Sequence, residues 1–279
     1  MTVLAPRRPA RVGDGPWTRA VLIGLGLAGA MLMLGAPVAL VLARAFAEGF
    51  GVYWSKISDP FTLKAVELTL LTTLVATPVN VVFGLCAAWA ITHHRFPGRQ
   101  VLTTLIEAPI SISPIVAGVA LLFLYGAQGV LGPWLVAHGW QVMFTVPAVF
   151  LASLFVTSPF VARTLITAMA GMERDDEEAA VLLGASGPTL FARITLPKIG
   201  LPLLYGALLC NARVLGEFGA VSVVSGKIRG VTNTLPLQVE LLFNDYNSLG
   251  AFAAASILTL AALLTLGVKA AWDWRSSET

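Results

Sequence analysis

Glu178-Ala179-Ala180, three further residues, Gly184, nine more residues, and then Ile194-Thr195-Leu196-Pro197 occupy one polar loop between apolar stretches. The loop opens on Asp175-Asp176-Glu177-Glu178, acids placed where the exposed amides and dipole of a helix N-terminus favour negative charge. Asp175 and Glu178 have capping-box spacing, with Asp in place of the usual Ser or Thr. Ala179 to Leu183 are small or apolar, and Gly184 suits a C-terminal stop because glycine tolerates positive φ. Ser186-Gly187-Pro188 can start a second helix, since proline is accepted in a first turn, and Pro197 is expected to mark the junction with the next span. Two short helices at an angle make a compact knob that could pass movement rigidly from a partner to a transmembrane helix. An isolated Glu-Ala-Ala would signal no more than the end of an amphipathic helix; Ile194 and Leu196-Pro197 in register turn the reading toward the knob.

The spacing resembles, position for position, the EAA signature of the membrane subunits of bacterial ABC importers, whose loop docks on a cytoplasmic ATPase. Asn211-Ala212-Arg213-Val214-Leu215-Gly216-Glu217-Phe218-Gly219-Ala220-Val221 and Val223-Val224-Ser225-Gly226-Lys227-Ile228-Arg229-Gly230, running on to Leu235-Pro236-Leu237-Gln238-Val239-Glu240-Leu241-Leu242, resemble the sulfate/thiosulfate branch. Pro97-Gly98-Arg99-Gln100 and Leu183-Gly184-Ala185-Ser186-Gly187 are most similar to its W-type permeases. The resemblance covers almost everything after about Ala20 and implies an all-α, six-span permease of the type I ABC importer (MetI-like) fold. It implies that Glu178, Ala179, Ala180, Gly184, Ile194, Leu196 and Pro197 couple to the ATPase, with Glu178, Ala179 and Gly184 holding the knob's shape. It further implies a T-type permease as the other half of the pore, two ATPase subunits, and a soluble periplasmic sulfate- or thiosulfate-binding protein. No cofactor is then expected on this chain, ATP and magnesium belonging to the ATPase. Gly216-Glu217-Phe218-Gly219 also fits the molybdate/tungstate branch.

Composition leads to the membrane independently. Hydrophobic residues make up 57% and charged residues 12% of the 279, and mean hydropathy is +0.81, whereas a soluble domain carries about twice that charge. Spans must be helical, because lipid offers no partner to unsatisfied backbone groups, and each needs roughly 20 apolar residues. Six are expected, near 20–46, 68–91, 101–125, 142–161, 199–224 and 249–271. They form one permease domain over 20–271, with the coupling loop at about 173–197, an N-terminal segment 1–19 and a tail 272–279. The first stretch is too long for a signal-peptide core and reads as a retained helix. With both termini inside, twelve Lys and Arg, among them Arg7, Arg8, Arg11, Arg174 and Arg275, fall in cytoplasmic segments. Five lie outside (Arg44, Lys56, Lys64, Lys227 and Arg229) and Arg213 lies within a span. This follows the positive-inside rule and puts the loop in the cytoplasm; the resemblance implies a bacterial inner membrane. The cations are scattered over loops rather than gathered on one face, which argues against nucleic acid as a partner and leaves membrane lipid.

Charges at membrane depth are costly and mark pathways or buried pairs. Arg213 and Glu217 lie four apart in the expected fifth span, so on a helix they would share a face and pair. They are candidates for an anion-compatible path or gate, or equally for a structural ion pair. Gly216 and Gly219 flank Glu217 and would permit close backbone approach or a helix break, as transporters use to present amides to ions. Glu107 is a further acid, near the cytoplasmic end, and Pro109 with Pro114 should kink or interrupt the third span. Asn80, Ser111 and Ser113 are read as helix-linking groups rather than a substrate site. Cys86 and Cys210 are read as packed small residues rather than a disulfide.

No Walker-type Gly-x-x-x-x-Gly-Lys-Ser/Thr run occurs, which assigns ATP hydrolysis to another polypeptide. His93-His94 beside Arg95 lacks metal-site spacing and reads as a solvated turn, while His138 sits between Trp134 and Trp140, expected interfacial anchors. Neither a nucleophile with its base nor a metal cluster is evident, so the chain is read as a transport subunit rather than an enzyme. A proton-coupled carrier is the remaining physical alternative, but it would leave the knob without a purpose.

Overall fold

The computed structural model describes residues 15–173 and 175–277. Arg7, Arg8, Arg11 and Arg174, the side chain of Arg275, and the rest of 1–14 and 278–279 lie outside that description. No strand occurs among the described residues. The helices are α1 (Pro16–Ala45), α2 (Phe50–Ile57), α3 (Pro60–His93), α4 (Arg99–Ser111), α5 (Pro114–Tyr125), α6 (Gly132–Ala137), α7 (Val146–Ala170), α8 (Asp175–Leu182), α9 (Gly187–Leu215), α10 (Gly219–Val224), α11 (Leu235–Asn244) and α12 (Ser248–Ser277). Five are long and apolar enough to cross a membrane, and the number rises to six if the bent pair α4/α5 is counted as one broken span.

α3 starts where Asp59 accepts hydrogen bonds from the amides of Phe61 and Thr62, both at 3.1 Å, with Pro60 preset for the first turn. Its 34 residues reach about 50 Å at ~1.5 Å each, well beyond a hydrocarbon core of roughly 30 Å, so it must tilt or project from the bilayer. The expected interruption at Pro109 and Pro114 falls between α4 and α5, which meet at 116°. Pro114 pushes Ser113 into an extended conformation with ψ 135°, and the helix restarts on the proline itself.

The expected fifth span, 199–224, is corrected in two respects. Its helix begins at Gly187 and runs unbroken to Leu215, so Pro197 lies inside it and there is no second short helix in the loop. A π-widened turn at Phe191–Thr195, in which the Leu196 amide reaches the Phe191 carbonyl, accommodates the proline where a tighter ladder would clash. The chain then breaks at 216–218 and resumes as the short α10.

α7 is the central helix. Half of its apolar stretch is buried, and it packs against α3, α4, α5, α9 and α10. Val161, Leu165 and Met169 share one core with Ala76 and Ala88 of α3 and Ile199, Cys210 and Val214 of α9. Ala148, Val149, Ala152 and Val156 share a second with Ala117, Leu121, Ala220, Val224 and Leu237. Asn80 joins three spans at once: its amide donates to Thr157 Oγ1 at 2.7 Å and lies 3.7 Å from Cys210 Sγ. Cys210 is buried as expected, but Cys86 is exposed on the outer side of α3, because the helix turns that position away from α7. At Gly84 the backbones of α3 and α7 meet so closely that a Cβ would stand 2.8 Å from the Ala162 nitrogen. Gly84→Val should therefore separate the two helices at a cost of about 1–3 kcal/mol, visible as a lowered unfolding midpoint of the detergent-solubilised protein; an unchanged midpoint would show that this contact does not set helix spacing.

Candidate functional site

The loop between α7 and α9 is built by α8. Acids fill the first turn of α8, but Asp175 is itself the first helical residue, so it does not take the N-cap position that a capping box requires. The C-terminal end follows the expected chemistry. The Gly184 amide donates to the Val181 carbonyl at 2.9 Å and the Ala185 amide to the Ala180 carbonyl at 2.9 Å, the paired bonds of a Schellman turn. That turn needs a left-handed residue, and Gly184 has φ +85°. A Cβ there would meet nothing within 4 Å, so a substitution would be strained by its backbone and would project outward.

Glu178 and Ala179 are exposed, Ala180, Ile194 and Leu196 are partly buried, and Pro197 is exposed on α9. Val181, Leu182 and Leu183 carry 58%, 87% and 89% of their surface open, an apolar ridge next to acids that a membrane core would not accept. A cavity of ≈ 430 Å³ lies beside it, lined by Glu177, Glu178, Val181, Leu182 and Leu190.

The buried acid of the loop is Glu177, not Glu178. Its Oε1 accepts from Thr195 Oγ1 at 2.7 Å, and its Oε2 lies 3.2 Å from His93 Nε2. This corrects the reading of His93 as part of a solvated turn: it is the last residue of α3, stacked on Trp89 at 3.8 Å, and Phe191 meets that tryptophan edge-on at 5.2 Å. The contact joins residues 84 positions apart, and only the i, i+4 pairing of Trp89 with His93 was a local signal. Lys198 pairs with Asp176 across the base of the loop.

Arg213 and Glu217 do pair, with Arg213 Nη2 3.1 Å from Glu217 Oε2, but not on one helix. α9 ends at Leu215, Gly216 caps it, and Glu217 stands in the break. There Glu217 Oε1 accepts from the Ala220 amide at 3.1 Å and satisfies the start of α10. Its side chain is 1% exposed and that of Arg213 34%, so the cation keeps an open side. Gly219 approaches the other broken span: a Cβ on it would lie 2.8 Å from Pro114 Cβ, and one on Gly118 would lie 2.8 Å from the Ala220 carbonyl oxygen. The two breaks thus sit against each other beside α7. Ser111 and Ser113 line the α4/α5 break and are exposed, as is Glu107.

A family profile described as "Binding-protein-dependent transport system inner membrane component" matches residues 80–275, which contain both breaks and the whole loop. The chain belongs to this family. It is a multi-pass inner-membrane component of a transport system and not an enzyme. The chain is 48% identical over 259 residues to the sulfate transport system permease protein CysW of Escherichia coli (strain K12), covering 93% of this chain and 89% of that protein. It is 34% identical over 244 residues to the sulfate transport system permease protein CysT of the same organism, covering 88% of each. Among solved structures, a chain of a bacterial alginate ABC transporter in complex with an alginate pentasaccharide-bound periplasmic protein superposes with a TM-score of 0.75 at 17% identity, covering 89% of this chain and 91% of that one. The fold is that of a type I ABC importer permease.

Glu217→Ala should remove both the Arg213 contact and the acceptor of the Ala220 amide, at a cost of about 1–3 kcal/mol. Glu217→Gln, which keeps that acceptor, should lose less in detergent unfolding measurements, and equal losses would assign the stabilisation to the ion pair alone.

Proposed function

We propose that this chain is the W-type permease subunit of an ATP-driven importer of sulfate and thiosulfate. It forms one half of the pore with a T-type permease, and a soluble periplasmic protein delivers the anion. Both termini and α8 face the cytoplasm, where two ATPase subunits dock and hydrolyse ATP with magnesium. The observation that carries this reading is the exposed Val181, Leu182 and Leu183 ridge, held on a short helix with a fixed glycine stop and joined within a few residues to a helix that runs unbroken into the membrane. The similarity to sulfate permeases supports the choice of anion.

Glu178, Ala179, Ala180, Gly184, Ile194, Leu196 and Pro197 shape the docking surface and its root. Closure of the ATPases on ATP draws the two α8 helices of the pore together and turns it from inward-facing to outward-facing; hydrolysis resets it. The α9/α10 break, with Arg213, Gly216, Glu217 and Gly219, forms part of the path or gate, where the open side of Arg213 is compatible with an anion. An outside source of energy is physically required, because an inside-negative potential opposes a divalent anion by about 2.3 kcal/mol per charge per 100 mV.

Uptake of labelled sulfate into proteoliposomes containing the four kinds of subunit tests this. The double variant Glu178→Lys/Gly184→Arg should lower ATP-dependent uptake about tenfold or more, a coupling loss of roughly 1.4 kcal/mol. Unchanged uptake would remove the loop from the mechanism, and uptake driven by a proton gradient without ATP would make the protein a secondary carrier.

A further inference from the structure

The loop is fastened to the membrane domain at a point outside its signature residues. The i→i−4 ladder is interrupted at residues 184–186 between α8 and α9, which makes this turn the hinge of α8. Two straps cross this hinge: Lys198 to Asp176, which is exposed, and Thr195 to Glu177, which is buried. Glu177 also holds His93, and so ties α8 to the end of α3.

His93 is held at both ring nitrogens. Nδ1 lies 2.8 Å from Thr92 Oγ1, which also reaches the Ala88 carbonyl at 2.7 Å. Nε2 faces the Glu177 carboxylate, an acceptor, at 3.2 Å, on a side chain that is only 15% exposed. Trp89 stacks on one face of the ring and is itself met edge-on by Phe191.

We propose that His93 is a positioning residue of the transport cycle: through Glu177 it makes α3 a second lever beside α9, so that displacement of α8 reaches both spans. These two helices pack on α7 through one core and are joined to it by Asn80 and Thr157. A push delivered to both moves the three as a unit, whereas a push through α9 alone would shear it against α3. The proposal rests on α8 being the ATPase-docking helix.

The test compares His93→Ala, His93→Asn and His93→Gln in the reconstituted complex, reading binding-protein-stimulated ATP hydrolysis and sulfate imported per ATP. A Gln amide N–H can reach the position of Nε2–H, whereas Asn reproduces only the Nδ1 contact to Thr92. His93→Ala and His93→Asn should cut imported sulfate per ATP about fivefold or more while the ATPases still co-purify, and His93→Gln should recover most of it. Equal behaviour of Ala and wild type, or better rescue by Asn than by Gln, would overturn the proposal. Should His93→Ala fail to assemble, Glu177→Gln keeps an acceptor for Thr195 and removes the charge; it should lower the same ratio, and an unchanged ratio would overturn the proposal. Gly184→Arg, run in parallel, separates the two readings. If it too leaves uptake intact, the docking role of α8 has failed; if it abolishes uptake while His93→Ala does not, only the second lever has.

Discussion

Inside a bilayer every backbone amide and carbonyl must find its partner within the protein, and the architecture follows from how this chain meets that demand at its breaks. A continuous helix needs nothing more, but α4/α5 and α9/α10 both interrupt their ladders at membrane depth. The Ala220 amide at the start of α10 is met by the carboxylate of Glu217, which is itself held by Arg213. Glycines at 118 and 219 then let the two interruptions press together until a Cβ would no longer fit. α7 supplies a continuous wall on one side of them, while Ser111, Ser113, Gly216 and Phe218 leave the other side open.

The loop around α8 faces a different problem in the proposed function, that of transmitting displacement without dissipating it. A short helix with an exposed apolar ridge would be a poor transmitter if its root were loose. Here the root is a helix of 29 residues that begins in the loop and ends in the membrane, strapped by Thr195 to Glu177. The π-widened turn that accommodates Pro197 keeps the axis continuous where a proline could have broken it. Rigidity thus comes from uninterrupted backbone hydrogen bonding on one side and a buried carboxylate on the other.

The fold class, the number of spans and the glycine stop at Gly184 were legible because each follows from local chemistry: apolar length, proline position and the conformation that only glycine adopts cheaply. The interruption at Pro109 and Pro114 was legible for the same reason. The end of the fifth span was less so, since Gly216 and Gly219 permit a break without requiring one and the charge pair at 213 and 217 suits an intact helix equally well. The contact of His93 with the loop was hidden. Its partner is Glu177, 84 residues away, and nothing near either residue announces the contact; the adjacent Glu178 drew attention because it carries the signature. Exposure of Cys86 was likewise set by the azimuth of α3 around α7, which depends on the close approach at Gly84.

α1 stands apart from this economy of contacts. From residue 16 to residue 35 every side chain is exposed, and only the end of the helix, at Ala45, enters a core, with Tyr53 and Ala253. A helix gripped at one end behaves as a cantilever: its pivot is defined by this chain, but the tilt of its free half is not. That orientation is left to whatever surrounds the helix, whether acyl chains or a neighbouring subunit, so the outline of the protein on this side is a property of the assembled membrane rather than of the polypeptide alone.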